Sequence, residues 1–369
     1  MKNTLISVFL IAAFPFSSYK KDHPKDHPEI NRELVTENVF IITTDGLRWQ
    51  EVFTGADSVL INDEEDTPDN TTVKALYWVP GSEERRKKLM PFIWNVVGVK
   101  GQLFGNRFFD NRVNVSNSYA KSYPGYNEIF TGSADPAISS NARYSNPNPN
   151  VLEYLNARPG FKGRVAAFTS WDVFPYIFNK EKSSFFLNSG YEKQTGPALS
   201  AEQLLVNTIQ EDEINDKTAT RYDGLTFINA KEYIKKNKPR VLFLGLGETD
   251  EFAHQGRYDL YLDQANQFDK MIAELWHWVQ TTPGYKDNTT FIITTDHGRG
   301  SRNSKWASHG RFIKGSSQIW LAVIGPHIKP VGEVKKDQQL FQEQLAQTMA
   351  NLLGEDFAGN NIAPAISLK

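Results

Sequence analysis

The segment Thr289–Gly298 reads TTFIITTDHG: seven β-prone residues with an apolar centre, then an aspartate, a histidine and a glycine with nothing between. The same pattern appears at Asn38–Gly46 (NVFIITTDG) and Arg240–Asp250 (RVLFLGLGETD). A continuous run of Val, Ile, Phe and Leu without polar alternation suits a strand buried on both faces, the habit of parallel sheets. An abrupt change to Asp, His and Gly marks the carboxyl end of such a strand, where α/β folds collect their functional groups. Strands are expected at Asn38–Thr44, Arg240–Leu246, Thr289–Thr295 and Ile319–Ile324, and helices at Glu84–Val99, Glu202–Glu211, Tyr222–Lys236, Leu260–Gln280 and Gln338–Leu353. Their alternation predicts an α/β chain in three layers around a central, mostly parallel sheet. The three acidic strand ends then share one rim.

The rest of the chain frames that reading. Its 369 residues are 40% apolar and 12% aromatic, enough for a large core and too apolar for a disordered chain. Forty-one Lys and Arg against forty-three Asp and Glu give a formal charge of -2, so no strong affinity for a nucleic-acid duplex is expected. Absence of cysteine excludes disulfides, thiolate metal sites and cysteine nucleophiles. Lys2, the apolar run Leu5–Phe16 and Ser17-Ser18 match a secretory signal, with the run short of the ~20 residues that span a bilayer. This predicts a signal peptide over 1–18, a polar leader over 19–36 that contains His23 and His27, an exported (periplasmic or secreted) location, and one catalytic domain over 37–369 without a membrane span. No cysteine follows the apolar run to carry a lipid anchor. The Asn-, Pro- and Ser-rich stretch 133–191 is expected to be an insertion over the site.

Five short motifs carry the chemistry. Asp250 and His254 stand four apart, a spacing that puts two side chains on one side of a helical turn. Asp296 and His297 are adjacent at a strand end, Asp45 ends another, and His309 follows in WASHG. Imidazole and carboxylate donors suit zinc, with manganese or another divalent ion as alternatives. Six such donors exceed one tetrahedral ion and point to two ions, an arrangement that clamps both oxygens of an in-line displacement at phosphorus. Ser122, in KSYPGYNEIFTG, precedes Pro124-Gly125 and an expected helix over Tyr126–Phe130; a helix N-terminus favours an anionic group. His277 in a Trp-rich helix and His327 after Pro326 read as structural. Arg299, Arg302, Lys305, Arg311 and Lys121 are candidate contacts for a charged substrate. Trp49, Tyr123, Tyr126 and Trp306 are candidate stacking surfaces for a base or sugar.

Taken in order, TTDG at Asp45, KSYPGYNEIFTG at Ser122, D-x-x-x-H at Asp250 and His254, TTDHG at Asp296 and His297, and HG at His309 resemble the alkaline phosphatase superfamily. The nucleophile segment is most similar to the type I phosphodiesterase/nucleotide pyrophosphatase branch, with Ser122 in place of that branch's threonine and Gly125-Tyr126 in place of Asn-His. The resemblance implies one zinc held by Asp250, His254 and His309, and a second held by Asp45, Asp296 and His297 with Ser122 as attacking group and further ligand. It also implies that Asn141, in NARYSNP, donates to a phosphoryl oxygen. The activity expected is hydrolysis of a small phosphate ester, a diester by the nucleophile segment. A phosphomonoesterase is the alternative. A sulfatase fits less well, because Tyr126 stands where that relative carries arginine, and a binding protein with a dead site has no need of the full ligand set.

Overall fold

The computed structural model describes residues 35–212, 219–301 and 305–368. The signal segment, His23, His27 and Arg302 lie outside them. Eleven strands are present among the described residues: β1 (Asn38–Thr44), β2 (Gln102–Phe104), β3 (Asn111–Asn114), β4 (Val165–Thr169), β5 (Phe186–Ser189), β6 (Val241–Leu246), β7 (Thr289–Thr294), β8 (Gln318–Ile319), β9 (Leu321–Ile324), β10 (Gly332–Glu333) and β11 (Gln338–Phe341). Eight form one sheet in the order β10-β2-β9-β7-β1-β6-β4-β5, and β11-β3-β8 form a smaller one. In the large sheet β1, β4, β5, β6 and β7 pair in parallel, while β9 runs against both β7 and β2. This is the expected α/β architecture.

Why the sheet is buried on both faces is visible in β1. Val39 and Ile41 join one apolar cluster, with Ile129 and Phe130 of the helix Ser122–Thr131 and Met349 of the helix Gln344–Leu352. Phe40 and Ile42 join the other, with Phe268, Ile272 and Leu275 of the helix Tyr258–Thr281. All four β1 side chains are fully buried, and at about 1.5–3 kcal/mol for each buried large aliphatic or aromatic side chain such strands anchor the fold. The strand period of two thus produces three layers from one apolar run.

Several expectations are corrected. The stretch 133–191, expected as an insertion over the site, supplies β4 and β5, which extend the sheet beyond β6. The Ala-containing VAAFT of β4 is too short and weakly patterned to announce a strand. The expected helix Glu84–Val99 is divided: Ser82–Leu89 is α-helical, Met90 precedes Pro91, and Ile93–Val97 forms a widened π turn, because the residue before a proline is driven away from helical backbone. Gln338–Phe341 is strand β11, and the helix starts only at Gln344. The run Ile319–Ile324 is shared between two sheets, since Ile319 closes β8 and Leu321 opens β9.

Candidate active site

β1 lies between β6 and β7, with Thr44 opposite Leu246 and Thr43 opposite Thr294. Three strand ends are therefore level, and their next residues converge. His297 Nε2 is 3.3 Å from Asp45 Oδ1, 3.5 Å from Asp296 Oδ2 and 3.9 Å from Asp250 Oδ1. Ser122 Oγ is 3.3 Å from the same imidazole nitrogen and 3.5 Å from Asp45 Oδ1. On the outer side, His254 Nε2 lies 3.2 Å from Asp250 Oδ2 and 3.1 Å from His309 Nε2, and His309 Nε2 lies 3.8 Å from Asp250 Oδ1. The His297 and His309 rings stack with centroids 3.8 Å apart.

Two compact donor sets result, Asp45 with Asp296 and His297, and Asp250 with His297 and His309, the ligand atoms of each within 4.8 Å of one another. All six metal-ligand candidates and Ser122 are thus in one pocket. His297 belongs to both sets by distance, and His254 joins the second from its more exposed side.

The chemistry of these donors fits divalent cations. His297 Nδ1 donates to the Gly298 carbonyl and His309 Nδ1 to the Ala120 carbonyl, each at 2.9 Å. A carbonyl only accepts, so in each ring Nδ1 carries a proton and Nε2 is the nitrogen turned towards the carboxylates, the orientation of a metal-ligating histidine. Asp296 accepts at Oδ1 from Gly46 N–H at 3.1 Å, yet its fully buried Oδ2 makes no hydrogen bond and has only the His297 ring nearby, at 3.5 Å. An orphaned carboxylate oxygen inside a protein is costly unless a cation or water completes it.

Electrostatics support the same fit. Burial first, then the charges of Asp296 and Asp250, hold the Asp45 carboxyl well above the usual carboxylate range. Burial also raises Asp296. Burial alone would lower His297, but Asp296, Asp45 and Asp250 around it push it up to about 9. Burial and then the neighbouring His297 bring His309 down to about 3. For Asp250 burial works upward, and Arg299 with the two outer histidines overrides it, holding the carboxyl well below the usual range. Three carboxylates forced together repel, and bound positive charge relieves that repulsion.

Ser122 is the first residue of the helix Ser122–Thr131. The helix begins four residues earlier than expected because Pro124 falls in its first turn, where an amide hydrogen is not needed. Gly125 lets this helix sit on the strand end: a Cβ there would lie 2.3 Å from the Asp296 carbonyl oxygen. Gly46, at φ 62°, is likewise obligatory, since a Cβ would lie 2.9 Å from Asp250 Oδ1. Asn141 Oδ1 accepts from Tyr123 N–H at 3.0 Å, which brings Asn141 to the start of the nucleophile helix and leaves its Nδ2 as the group free to donate.

Further supports were not singled out from sequence. Glu128, on the nucleophile helix, accepts from Ser116 N–H at 2.9 Å and from both the backbone and side-chain amides of Asn117. Asn117 Oδ1 in turn accepts from Ala120 N–H at 2.8 Å. Ala120 is held at φ 45°, a left-handed conformation rare for alanine, and its carbonyl is the one that orients His309. Gln342 donates to the carbonyls of Thr295 and Asp296 at 2.9 and 3.0 Å. The only signal for these in the sequence is polar residues among apolar ones.

The aromatic candidates do not offer open faces. Trp306 is fully buried against Tyr258 and Tyr261, Tyr126 packs on Phe174 and Phe243, Tyr123 stacks on Tyr144, and Trp49 meets Phe108. Arg299 is buried and bonded to Asp250. His277 is exposed on the helix Tyr258–Thr281, beside Gly325-Pro326 at the rim opposite the site.

Residues 38–339 match the family of type I phosphodiesterases and nucleotide pyrophosphatases, and the chain belongs to that family. It is a hydrolase of phosphoric ester bonds. No curated protein matches it. Among solved structures it is similar in fold to the lipoteichoic acid synthase LtaP from Listeria monocytogenes, at 12% identity over 93% of this chain and 78% of that one, with a TM-score of 0.59. It is similar to the alkaline phosphatase PafA at 12% identity over 90% and 98%, with a TM-score of 0.59. It is also similar to a phosphonate monoester hydrolase from Silicibacter pomeroyi at 12% identity over 89% and 76%, with a TM-score of 0.57. Among the described residues no helix is long and apolar enough to cross a membrane.

Proposed function

We propose that this chain is an exported phosphodiesterase that uses Ser122 as nucleophile beside two zinc ions. The observation that carries the reading is the position of Ser122 Oγ, 3.3 Å from His297 Nε2 and 3.5 Å from Asp45 Oδ1, at the head of a buried helix. Asp45, Asp296, His297 and Ser122 would hold one ion, and Asp250, His254 and His309 the other. Bound there, the pair supplies the positive charge that lowers the serine hydroxyl's pKa and neutralises charge on the leaving oxygen.

The chain's own residues do the rest. The helix start presents Ser122 Oγ to phosphorus with its backbone dipole favouring the anionic group. Asn141 Nδ2 donates to a non-bridging oxygen. As the Ser122 Oγ–P bond forms, the P–O bond to one alcohol breaks, and that alcohol departs towards His254 and His309. Water then cleaves the phosphoseryl bond, freeing the serine and a phosphate monoester.

A diester is the reading the nucleophile segment favours, and two arginines near the motifs, Arg299 and Arg143, are already engaged. Arg299 is tied to Asp250, and Arg143 to both oxygens of Asp172 at 2.9 and 2.7 Å. A monoester dianion wants additional free donors. The deciding test compares an aryl phosphate diester, an aryl phosphate monoester and an aryl sulfate with the same leaving group on zinc-loaded protein. The diester is expected to be fastest; a faster monoester or sulfate overturns the assignment. Export is supported by the apolar run Leu5–Phe16, and is checked by locating the protein in fractionated cells.

A further inference from the structure

Arg299 follows His297-Gly298 and is buried, yet it makes no contact that a surface loop would require. Its Nη1 donates to Asp250 Oδ1, its Nε to the Trp306 carbonyl at 3.0 Å and its Nη2 to the Ala307 carbonyl at 2.5 Å. The residue is 1% exposed, so a substrate cannot reach it. One guanidinium thereby joins the segment after β7 both to Asp250, 49 residues earlier in the helix after β6, and to the two residues that lead into Ser308-His309.

The far side of this clamp is itself fixed. Trp306 Nε1 donates to Asp66 Oδ1 at 2.8 Å, and its ring packs on Tyr258 and Tyr261. Gly300 N–H donates to the Ser308 carbonyl at 3.0 Å, and Arg48 Nη1 donates to the Gly300 carbonyl at 3.2 Å. Arg48 is paired with Glu51, which accepts from Tyr258 OH at 2.9 Å. Gly300, Trp306 and Ala307 are therefore fixed around the guanidinium, leaving Asp250 Oδ2 for the His254 side.

We propose that Arg299 is a positioning residue for the outer donor set: by clamping Asp250 to Trp306 and Ala307 it assembles Asp250 and His309 before any cation arrives. This rests on the two-zinc reading above. A planar fork is required, because lysine carries the same charge but, as a point donor, cannot span a carboxylate and two carbonyls at once. Groups that orient metal ligands typically contribute 10- to 100-fold in affinity.

The test is zinc titration of the full chain against a competing chromophoric chelator, with wild type and Arg299→Lys side by side. Wild type should bind two equivalents. Arg299→Lys should keep one near wild-type affinity and bind the other 10- to 100-fold more weakly, despite unchanged charge. Two wild-type affinities in the lysine variant would overturn the clamp, whereas a wild type that binds fewer than two zinc ions would overturn the two-zinc reading instead. A second measurement needs no variant: in metal-free wild type, hydrogen exchange at the Gly300 and Ser308 amides should remain as slow as in the zinc-loaded protein. Fast exchange without zinc, regained on loading, would show that the cation and not Arg299 builds the outer set.

Discussion

The inner and outer halves of the site are made in different ways. Asp45, Asp296 and His297 follow directly from two neighbouring parallel strands, and each is buried within the sheet rim. Asp250 and His254 ride on the short helix Glu248–His254, His309 sits in a loop, and the His254 side chain is 48% exposed. Strand register and contacts with adjoining backbone place the inner donors, whereas the outer ones need Arg299 and the Ala120 carbonyl to hold them. A ladder of backbone hydrogen bonds is rigid by construction; a loop is only as ordered as the side chains that tie it. The inner half should accordingly be the tighter and the outer half the more exchangeable.

The sharpest break comes at the nucleophile. Ser122→Ala should lower turnover of an aryl diester by about 10³-fold or more with unchanged circular dichroism, and turnover within tenfold of wild type would remove Ser122 from its role. Next, dialysis against a chelator should release zinc in two phases with activity lost in the first, and His254→Ala should weaken only that faster-leaving ion, by about 10- to 100-fold. A single phase would erase the distinction between the halves.

Smaller effects probe the supports. Gly125→Ala forces a methyl against the Asp296 carbonyl and should destabilise the protein by about 2–4 kcal/mol in urea unfolding; a cost below about 0.5 kcal/mol would mean the helix can retreat freely. Glu128 tests the turn that orients His309. Burial raises its pKa from 4.5 to about 7, against the lowering effect of the Ser116 and Asn117 amides. Its stabilising contribution is thus full below pH 4.5 and is lost as pH rises through about 7. Between pH 5 and 8 metal-free wild type should lose about 1–3 kcal/mol more stability than Glu128→Gln. Parallel pH dependences of the two proteins would reject the shift.

Much of this is legible in the sequence where local pattern and global role coincide. NVFIITT and TTFIITT are apolar on both faces and can only be buried strands, so β1 and β7 appear almost to the residue, and the Asp-His-Gly that ends β7 declares its chemistry. The pattern is silent for VAAFT, whose alanines carry little propensity, so β4 and β5 were expected within a loop-rich insertion. Trp306, Tyr123 and Tyr126 look like stacking surfaces because an aromatic beside a motif reads alike whether it faces a ligand or the core. Arg299 invites the opposite error: its charge suggests a substrate contact, and only its three buried acceptors reveal a scaffold.

The amino-acid order settled which donors are available and which of them sit at strand ends, because periodicity and residue chemistry are properties of neighbours along the chain. Tertiary structure decided which nitrogen of each histidine faces the pocket, which cation is already engaged, and how closely the Ser122 helix approaches Asp296. Those depend on groups tens to hundreds of residues apart, such as Arg299 with Asp250 or Ala120 with His309, whose meeting no local pattern encodes.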